Sequence, residues 1–319
     1  MNKFILDFEK PIRELEDKID ELERLAQNGQ VGINGEIKRL RTKADKLREE
    51  VFSRLTRWQM VQLARHPQRP YTLDYIRLMT SDWIELHGDR GFRDDTAIIA
   101  GLCHIKGRRI ALIGHQKGRS TKENLHRNFG MPHPEGYRKA LRVMKLAEKF
   151  GLPVITLIDT PGAYPGLGAE ERGQASAIAD NLYHMAQLRV PIVAIVIGEG
   201  GSGGALALGV ADRVYMLQYS IYSVISPEGC ASILYRDSSK AQQAAEALRL
   251  TASDLMSHKL IDGIIEEPKG GSHNDPTAVA RSVESKILAA LDELETLDPE
   301  ERIERRIAKY AGMGVWVEK

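Results

Sequence analysis

The sequence predicts an α/β protein whose core is a layered, mainly parallel sheet, with a helical hairpin placed before it. Three observations carry that reading. Apolar residues near the N-terminus recur at three- and four-residue steps. Further along, β-rich runs alternate with amphipathic helices, the pattern of parallel strands joined by helical crossovers. Two successive buried strands then run out into glycine-containing segments.

The N-terminal arm, residues 1–65, comes first. Ile12, Leu15, Ile19, Leu22 and Leu25 form one apolar stripe, and Ile37, Leu40, Ala44, Leu47 and Val51 form another. Asn28 to Gly35 breaks the two runs and reads as the turn of an antiparallel pair. The arm either docks on its own chain or offers its stripe to a second chain, and periodicity leaves both open. From Arg65 the texture changes, and residues 66–319 read as the main domain. Pro67, Arg69-Pro70 and Thr72 to Tyr75 lead into a helix expected to end near His87-Gly88-Asp89.

Ala97 to Ile105 and Arg109 to Gln116 flank Lys106-Gly107-Arg108, a hairpin signal. Next come a helix over Glu135 to Phe150, a strand over Pro153 to Ile158 and a helix over Ala169 to Gln187. A strand over Pro191 to Ile197, a short helix from Gly204 and a strand over Arg213 to Leu217 follow. Leu152-Pro153-Val154-Ile155 and Val190-Pro191-Ile192-Val193 open successive strands in the same way, a faint internal repeat. Their exits, Asp159 to Gly166 and Gly198 to Gly204, fall on one edge of the sheet, where a ligand would sit. Pro276 to about Tyr310 is charged helix.

Composition narrows the function classes. Hydrophobic residues make up 42% and charged residues 28% of the 319, enough apolar material for a large core and too much for a disordered chain. Lys+Arg 45 against Asp+Glu 44 gives a net charge of +1 and no global pull toward nucleic acid or an anionic membrane. The two cysteines, Cys103 and Cys230, make neither a four-thiolate zinc site nor a disulfide framework. Asp7 and Glu9 interrupt any signal-peptide pattern, and Pro191 to Ile197 is too short to span a bilayer. A cytoplasmic protein is expected.

The glycine cluster from Gly198 through Gly204 admits three chemical readings. Gly198, Gly200 and Gly203 match G-x-G-x-x-G, but no full helix and strand ending in an acid follow, so a dinucleotide site is rejected. No Lys-Ser or Lys-Thr follows, so it is not a P-loop. Gly200, Ser202 and Gly204 match the G-x-S-x-G nucleophile elbow, which would need His258 or His273 as base, oriented by Asp237 or Asp254. The third reading uses main-chain amides alone. Glycines let an oxyanion approach backbone N–H groups at a helix start, with a second cradle at Gly162-Ala163. One such donor is worth about 2.7–4 kcal/mol to a transition state that builds negative charge on oxygen. Tight strand–helix packing is the bland alternative.

Long motifs add a resemblance. Gly198 to Gly209, Ser223 to Gly229, Asp159 to Gly166 and Glu170 to Gln174 resemble the alpha subunits of bacterial acetyl-CoA carboxylase carboxyltransferase. Asn128 to Met131, Pro134 to Ala140 and His66 to Pro70 add to it, and the match covers nearly the whole chain. The resemblance implies a crotonase-like (ClpP/crotonase) spiral of ββα units. It implies transfer of a carboxyl group from carboxybiotin, held on a biotin carboxyl carrier protein, to acetyl-CoA, giving malonyl-CoA for fatty acid synthesis. It also implies a zinc-bearing beta subunit in an α2β2 heterotetramer, within an ATP-binding complex that includes biotin carboxylase. The zinc ribbon belongs to the beta subunit, so no metal and no nucleic-acid contact are expected here.

By the same resemblance, Gly203 and Gly204 donate to the biotin carbonyl oxygen. Gly201, Gly162, Ala163 and Tyr164 line the carboxybiotin pocket, and Arg172 steers the transferred carboxylate. Arg172 has a plain alternative, a helix-surface salt bridge with Glu170, Glu171 or a neighbour. The basic set Lys117, Arg119, Lys122 and Arg127, with Arg138-Lys139 beyond, either meets coenzyme A phosphates or is solvated surface. Trp58, Trp83 and Tyr164 read as packing aromatics, although Tyr164 sits at the pocket loop. A Ser202 hydrolase of Clp or elbow type and a non-catalytic scaffold stand as alternatives.

Overall fold

In the computed structural model, residues 4–27 and 33–314 are described, so residues 28–32 of the expected turn lie outside the described residues. Helices α1 (Lys10–Gln27) and α2 (Asn34–Ser53) run antiparallel, as the Glu16–Arg48 and Glu23–Arg41 ion pairs across them require. Their stripes bury Ile19, Ile37, Leu40 and Ala44 against each other. Leu6, Ile12 and Phe52 then pack on Leu63 and Tyr219, so the arm docks on its own chain. A second clasp adds to this: Glu9 lies 3.3 Å from His273, whose ring stacks on His66 at 4.0 Å and 24°. Rings so nearly parallel do not aim their in-plane lone pairs at one ion, so the trio reads as a staple.

After α3 (Arg57–Ala64) and α4 (Thr72–Met79) come β1 (Ser81–Glu85), β2 (Ile98–Ile105) and β3 (Arg108–His115). Next are α5 (Thr121–His126), α6 (Pro134–Lys149), β4 (Val154–Thr160), α7 (Leu167–Glu171) and α8 (Gln174–Gln187). Then follow β5 (Ile192–Gly201), α9 (Ser202–Leu206), β6 (Arg213–Leu217), β7 (Ile221–Ser223), α10 (Pro227–Tyr235), α11 (Ala241–Leu248) and α12 (Ala252–Ser257). The described chain closes with β8 (Gly263–Ile265), α13 (Pro276–Leu294) and α14 (Pro299–Ala311). No helix among the described residues is long and apolar enough to cross a membrane.

The strands form one 8-stranded sheet in the order β1-β2-β3-β4-β5-β6-β8, with β7 paired to β5. β1, β2 and β3 are antiparallel, and every pairing from β3 onward is parallel. Alternate residues of β2 to β6 face opposite layers. One face, with Ile113, Val154 and Ala194, packs on Val143, Met144 and Met185 of α6 and α8. The other, with Leu112, Ile155 and Ile195, packs on Tyr75, Ile76, Val283 and Ile287 of α4 and α13. Strands covered on both sides read as near-continuous apolar runs, and β4 and β5 are buried at every position, with polar residues at Thr156 and, toward their C-terminal ends, at Asp159, Thr160 and Glu199.

Three expectations are corrected. The helix expected to end near His87 stops at Met79, and Ser81 to Glu85 form an edge strand held by pairing to β2. The single helix expected over Ala169 to Gln187 is broken at Gly173, whose φ of 81° no helix interior accepts. β5 continues to Gly201 instead of ending at Ile197, because Glu199, Gly200 and Gly201 find new partners in Ile221, Tyr222 and Ser223 of β7.

Candidate active site

β4 and β5 lie side by side, with Ile158 opposite Val196 and, after an irregularity, Thr160 opposite Gly200. Their exits therefore touch. A Cβ on Gly201 would stand 2.2 Å from the Pro161 carbonyl oxygen, and one on Gly204 2.5 Å from both the Ala163 nitrogen and the Gly162 carbonyl carbon. These two glycines exist because two backbones meet there, so the bland packing reading is correct for them. Gly203 differs: its Cβ would meet only the Ile178 side chain, at 3.7 Å and beyond. Gly162 differs too, since its φ of 152° excludes other residues while a Cβ would come no nearer than 4.0 Å to anything. Open space beside Gly162 and Gly203 fits the approach of a flat ligand.

The amides follow from this backbone. Gly203 and Gly204 stand in the first turn of α9, where N–H groups have no acceptor within the helix. No loop carbonyl or side chain of the described residues takes them, and the same holds for Ala163. Gly162 is different from expectation: its N–H is already bonded to Thr160 Oγ1 at 3.0 Å, while that hydroxyl donates to the Gly162 carbonyl at 2.8 Å. Of the second cradle, Ala163 retains its donor and Gly162 supplies the turn. Gly201 is buried opposite Ser223. α9 spans only Ser202 to Leu206, too little for a helix dipole to matter, so any oxyanion stabilisation falls to individual N–H groups.

Ser202 has the backbone of a nucleophile elbow, a φ of 53° with an exposed side chain, but no base. His258 is exposed at the end of α12, and His273 is held by Glu9 and His66. Asp254 is taken by Arg57 and Thr251, and Asp237 by Ser239. The Ser-Asp-His arrangement is not assembled.

The Tyr164 ring stacks on His133 at 4.2 Å, and its N–H donates to the Pro132 carbonyl at 3.0 Å, which fixes the loop after Ala163. Arg172 Nε donates to Glu135 Oε1 at 2.5 Å, with its guanidinium 5.0 Å from the Phe92 ring. Glu135 is fully buried and raises the pKa of Arg172 through this bond. The plain alternative of a salt bridge is therefore present, but with Glu135 on α6 and not with Glu170 or Glu171, and the guanidinium is already engaged.

The basic set gathers only in part: Lys117, Arg119 and Arg127 line one cavity with Arg77, Asp74 and Glu123, whereas Lys122, Arg138 and Lys139 are not in that lining. Arg119 lies 4.7 Å from the Tyr71 ring, Arg127 donates to the Thr96 carbonyl at 2.7 Å, and Lys122 is exposed. Arg138 and Lys139 bind Asp89 and Asp94 at 2.8 and 2.6 Å. Lys117 turns inward, 2.6 Å from Asp159. Burial alone would lower its pKa, but Asp159 and Glu199 outweigh that and raise it.

Sequence reasoning missed Asp159, Glu199 and His115. His115, fully buried at the end of β3, makes no well-formed hydrogen bond at either ring nitrogen among the described residues, although backbone groups of Gly204 and Leu157 lie near the ring. Burial, reinforced by the Lys117 charge, pushes its pKa down to about 3, so the ring is neutral. The available signal was position: each of the three lies at or next to the C-terminal end of a buried strand.

Comparison with known proteins agrees with this geometry. A family model described as acetyl co-enzyme A carboxylase carboxyltransferase-like matches residues 5–314. An acetyl-coenzyme A carboxylase carboxyl transferase subunit alpha from Azoarcus sp. (strain BH72) is 56% identical over 314 residues, covering 98% of each chain. The protein of that name from Methylococcus capsulatus is 57% identical over 318 residues, covering 100% of this chain and 99% of its own. Among solved structures, transcarboxylase 12S aligns with a TM-score of 0.57 at 21% identity, over 72% of this chain and 42% of that one. A Pseudomonas malonate decarboxylase hetero-tetramer in complex with coenzyme A gives 0.59 at 16%, over 75% and 94%. These structural likenesses establish the crotonase-like fold expected from the sequence. The chain belongs to the acetyl co-enzyme A carboxylase carboxyltransferase-like family.

Proposed function

We propose that this chain is the alpha subunit of an acetyl-CoA carboxyltransferase, moving a carboxyl group from biotin on a carrier protein to acetyl-CoA to give malonyl-CoA. It acts as one subunit of a multi-subunit enzyme. The observation that carries the reading is the pair of adjoining cradles. Their free donors are the N–H groups of Gly203, Gly204 and Ala163, with no acid–base side chain among them. Biotin supplies a ureido oxygen that gains negative charge as its carboxyl group departs.

Gly203 and Gly204 hold that oxygen, each N–H contributing about 2.7–4 kcal/mol where the charge is greatest. Ala163 and Tyr164 form the facing wall, kept in place by the Thr160 turn and the Tyr164–His133 stack. Gly201 and Gly204 keep the two walls at contact distance. Arg172, tied to Glu135, holds the α7–α8 segment on α6 at the edge of this site. No side chain of this chain is asked to take a proton. The acyl-CoA half of the site belongs to a zinc-bearing beta subunit in an α2β2 assembly, which also receives the biotin carboxyl carrier protein and works with biotin carboxylase.

The test is reconstitution. The purified chain, a beta subunit and both together are assayed for malonyl-CoA formation from a carboxylated biotin donor and acetyl-CoA. Turnover is expected only from the mixture. Full turnover by either chain alone, or none by the mixture, contradicts the proposal.

A further inference from the structure

Below the two cradles runs a chain of charges that backbone packing does not require. Asp159, the residue before Thr160, is buried. Its Oδ1 accepts the Glu199 N–H at 2.9 Å and the Lys117 ammonium at 2.6 Å. Lys117 also lies 3.6 Å from the Glu199 carboxylate. Glu199 binds Arg65 at 2.7 Å, and Arg65 reaches Glu228 in the first turn of α10 at 2.6 Å. A Cβ on Gly198 would stand 2.6 Å from Asp159 Oδ1, so that glycine is what admits the carboxylate between the strands.

Burying such a network is a poor way to gain stability, since apolar residues of like volume do as well or better. What it does supply is register. β4 and β5 lose regular pairing after Ile158 and Val196, and this is where the Asp159 carboxylate spans them. One residue further along β4 is Thr160, whose hydroxyl shapes the Gly162 turn; two residues beyond Glu199 is Gly201, packed on Pro161. The main-chain hydrogen bond that the Asp159 side chain accepts from Glu199 therefore joins the roots of the two cradles. Lys117, from the segment after β3, neutralises it.

We infer that Asp159, together with Lys117, is a positioning residue that sets the spacing between the Gly203–Gly204 and Ala163 donors; this rests on the function proposed above. The test uses the reconstituted two-subunit enzyme. Asp159→Asn keeps an oxygen for the Glu199 N–H but removes the charge that holds Lys117. Lys117→Met removes the cation, and Lys117→Arg restores it. Asp159→Glu keeps the charge and shifts the carboxylate by one methylene, and the thermal midpoint of every variant is measured beside its kcat so that a folding defect is told apart from a positioning defect.

A displacement near 1 Å at a reacting centre costs about 10²-fold. Asp159→Asn, Asp159→Glu and Lys117→Met are therefore expected to lose kcat on that scale per folded complex, with KM for acetyl-CoA unchanged, and Lys117→Arg to recover most of it. Unchanged kcat in Asp159→Glu, a loss that only follows the folded fraction, or no recovery in Lys117→Arg overturns the inference. If the unmodified complex itself transfers no carboxyl group, the parent proposal fails instead.

Discussion

Gly203 and Gly204 are neighbours with opposite steric surroundings, and this separates the use of their amides from mere packing. A methyl group on Gly204 would sit 2.5 Å from backbone atoms of Gly162 and Ala163, against the 3.4 Å where ordinary contact begins. Backbone cannot swing aside as a side chain does, so the two cradles must part by about 1 Å. Overpacking of this kind costs about 1–3 kcal/mol of stability. Carried to the donors, the same displacement removes one oxyanion contact, about 2.7–4 kcal/mol or 10²–10³ in kcat.

On Gly203 the methyl group would meet only Ile178, at 3.7 Å and 3.8 Å, and the N–H stays where it is. Alanine there also favours the α9 turn by up to about 1 kcal/mol. The assay is carboxyl transfer to acetyl-CoA by the reconstituted enzyme, with thermal midpoints measured in parallel. Gly204→Ala is expected to lose about 10²-fold or more in kcat. Gly203→Ala is expected to fold at least as well as the parent and to keep most of kcat, its methyl group instead raising KM for the biotin donor whose approach it narrows. An equal loss of kcat in the two variants would refute the argument that donor placement, set by backbone contact, drives the reaction.

Ser202→Ala is expected to leave carboxyl transfer within a few-fold, whereas removal of a catalytic serine costs about 10⁶-fold, a loss that would revive the hydrolase reading. Arg172→Ala leaves the fully buried Glu135 with Arg138 as its remaining cation, so the thermal midpoint is expected to fall, with Arg172→Lys intermediate. An unchanged midpoint with abolished transfer would instead mean that the guanidinium acts on the substrate. Stability is expected to fall with pH from about 6.5 toward 4, because two buried histidines are neutral when folded and take protons on unfolding. Burial and His273 hold His66 down to about 4, and burial and Lys117 hold His115 down to about 3. The unfolded chain then binds about two more protons in that window, a slope of about 2.7 kcal/mol per pH unit that His115→Asn should halve; an unaltered slope contradicts the assignment.

Much of the fold was legible because periodic burial leaves a periodic trace. β6 was read at its observed limits, and α6 and β4 to within a residue or two. β1 was not, since Asp82, Ile84 and Glu85 on an edge carry no buried pattern and follow directly on the apolar face of α4. The glycines of β5 read as loop because only a tertiary partner, β7, makes them strand. At the candidate site the glycine cradles were visible in the sequence, but the reason for each glycine was not. Gly201 and Gly204 answer to Pro161 and Gly162-Ala163, which lie on the neighbouring strand exit. Charged residues were the least legible. Lys117 finds Asp159 42 positions away and Arg172 finds Glu135 37 positions away, separations at which no local spacing rule operates.

The most direct measurement is a crystal structure of the two-subunit enzyme with biotin bound. The ureido oxygen is expected about 2.7–3.1 Å from the nitrogens of Gly203 and Gly204, with Ala163 and Tyr164 across from it. Biotin bound elsewhere, or an oxygen held by a side chain while those amides close on carbonyls of their own chain, would contradict the account.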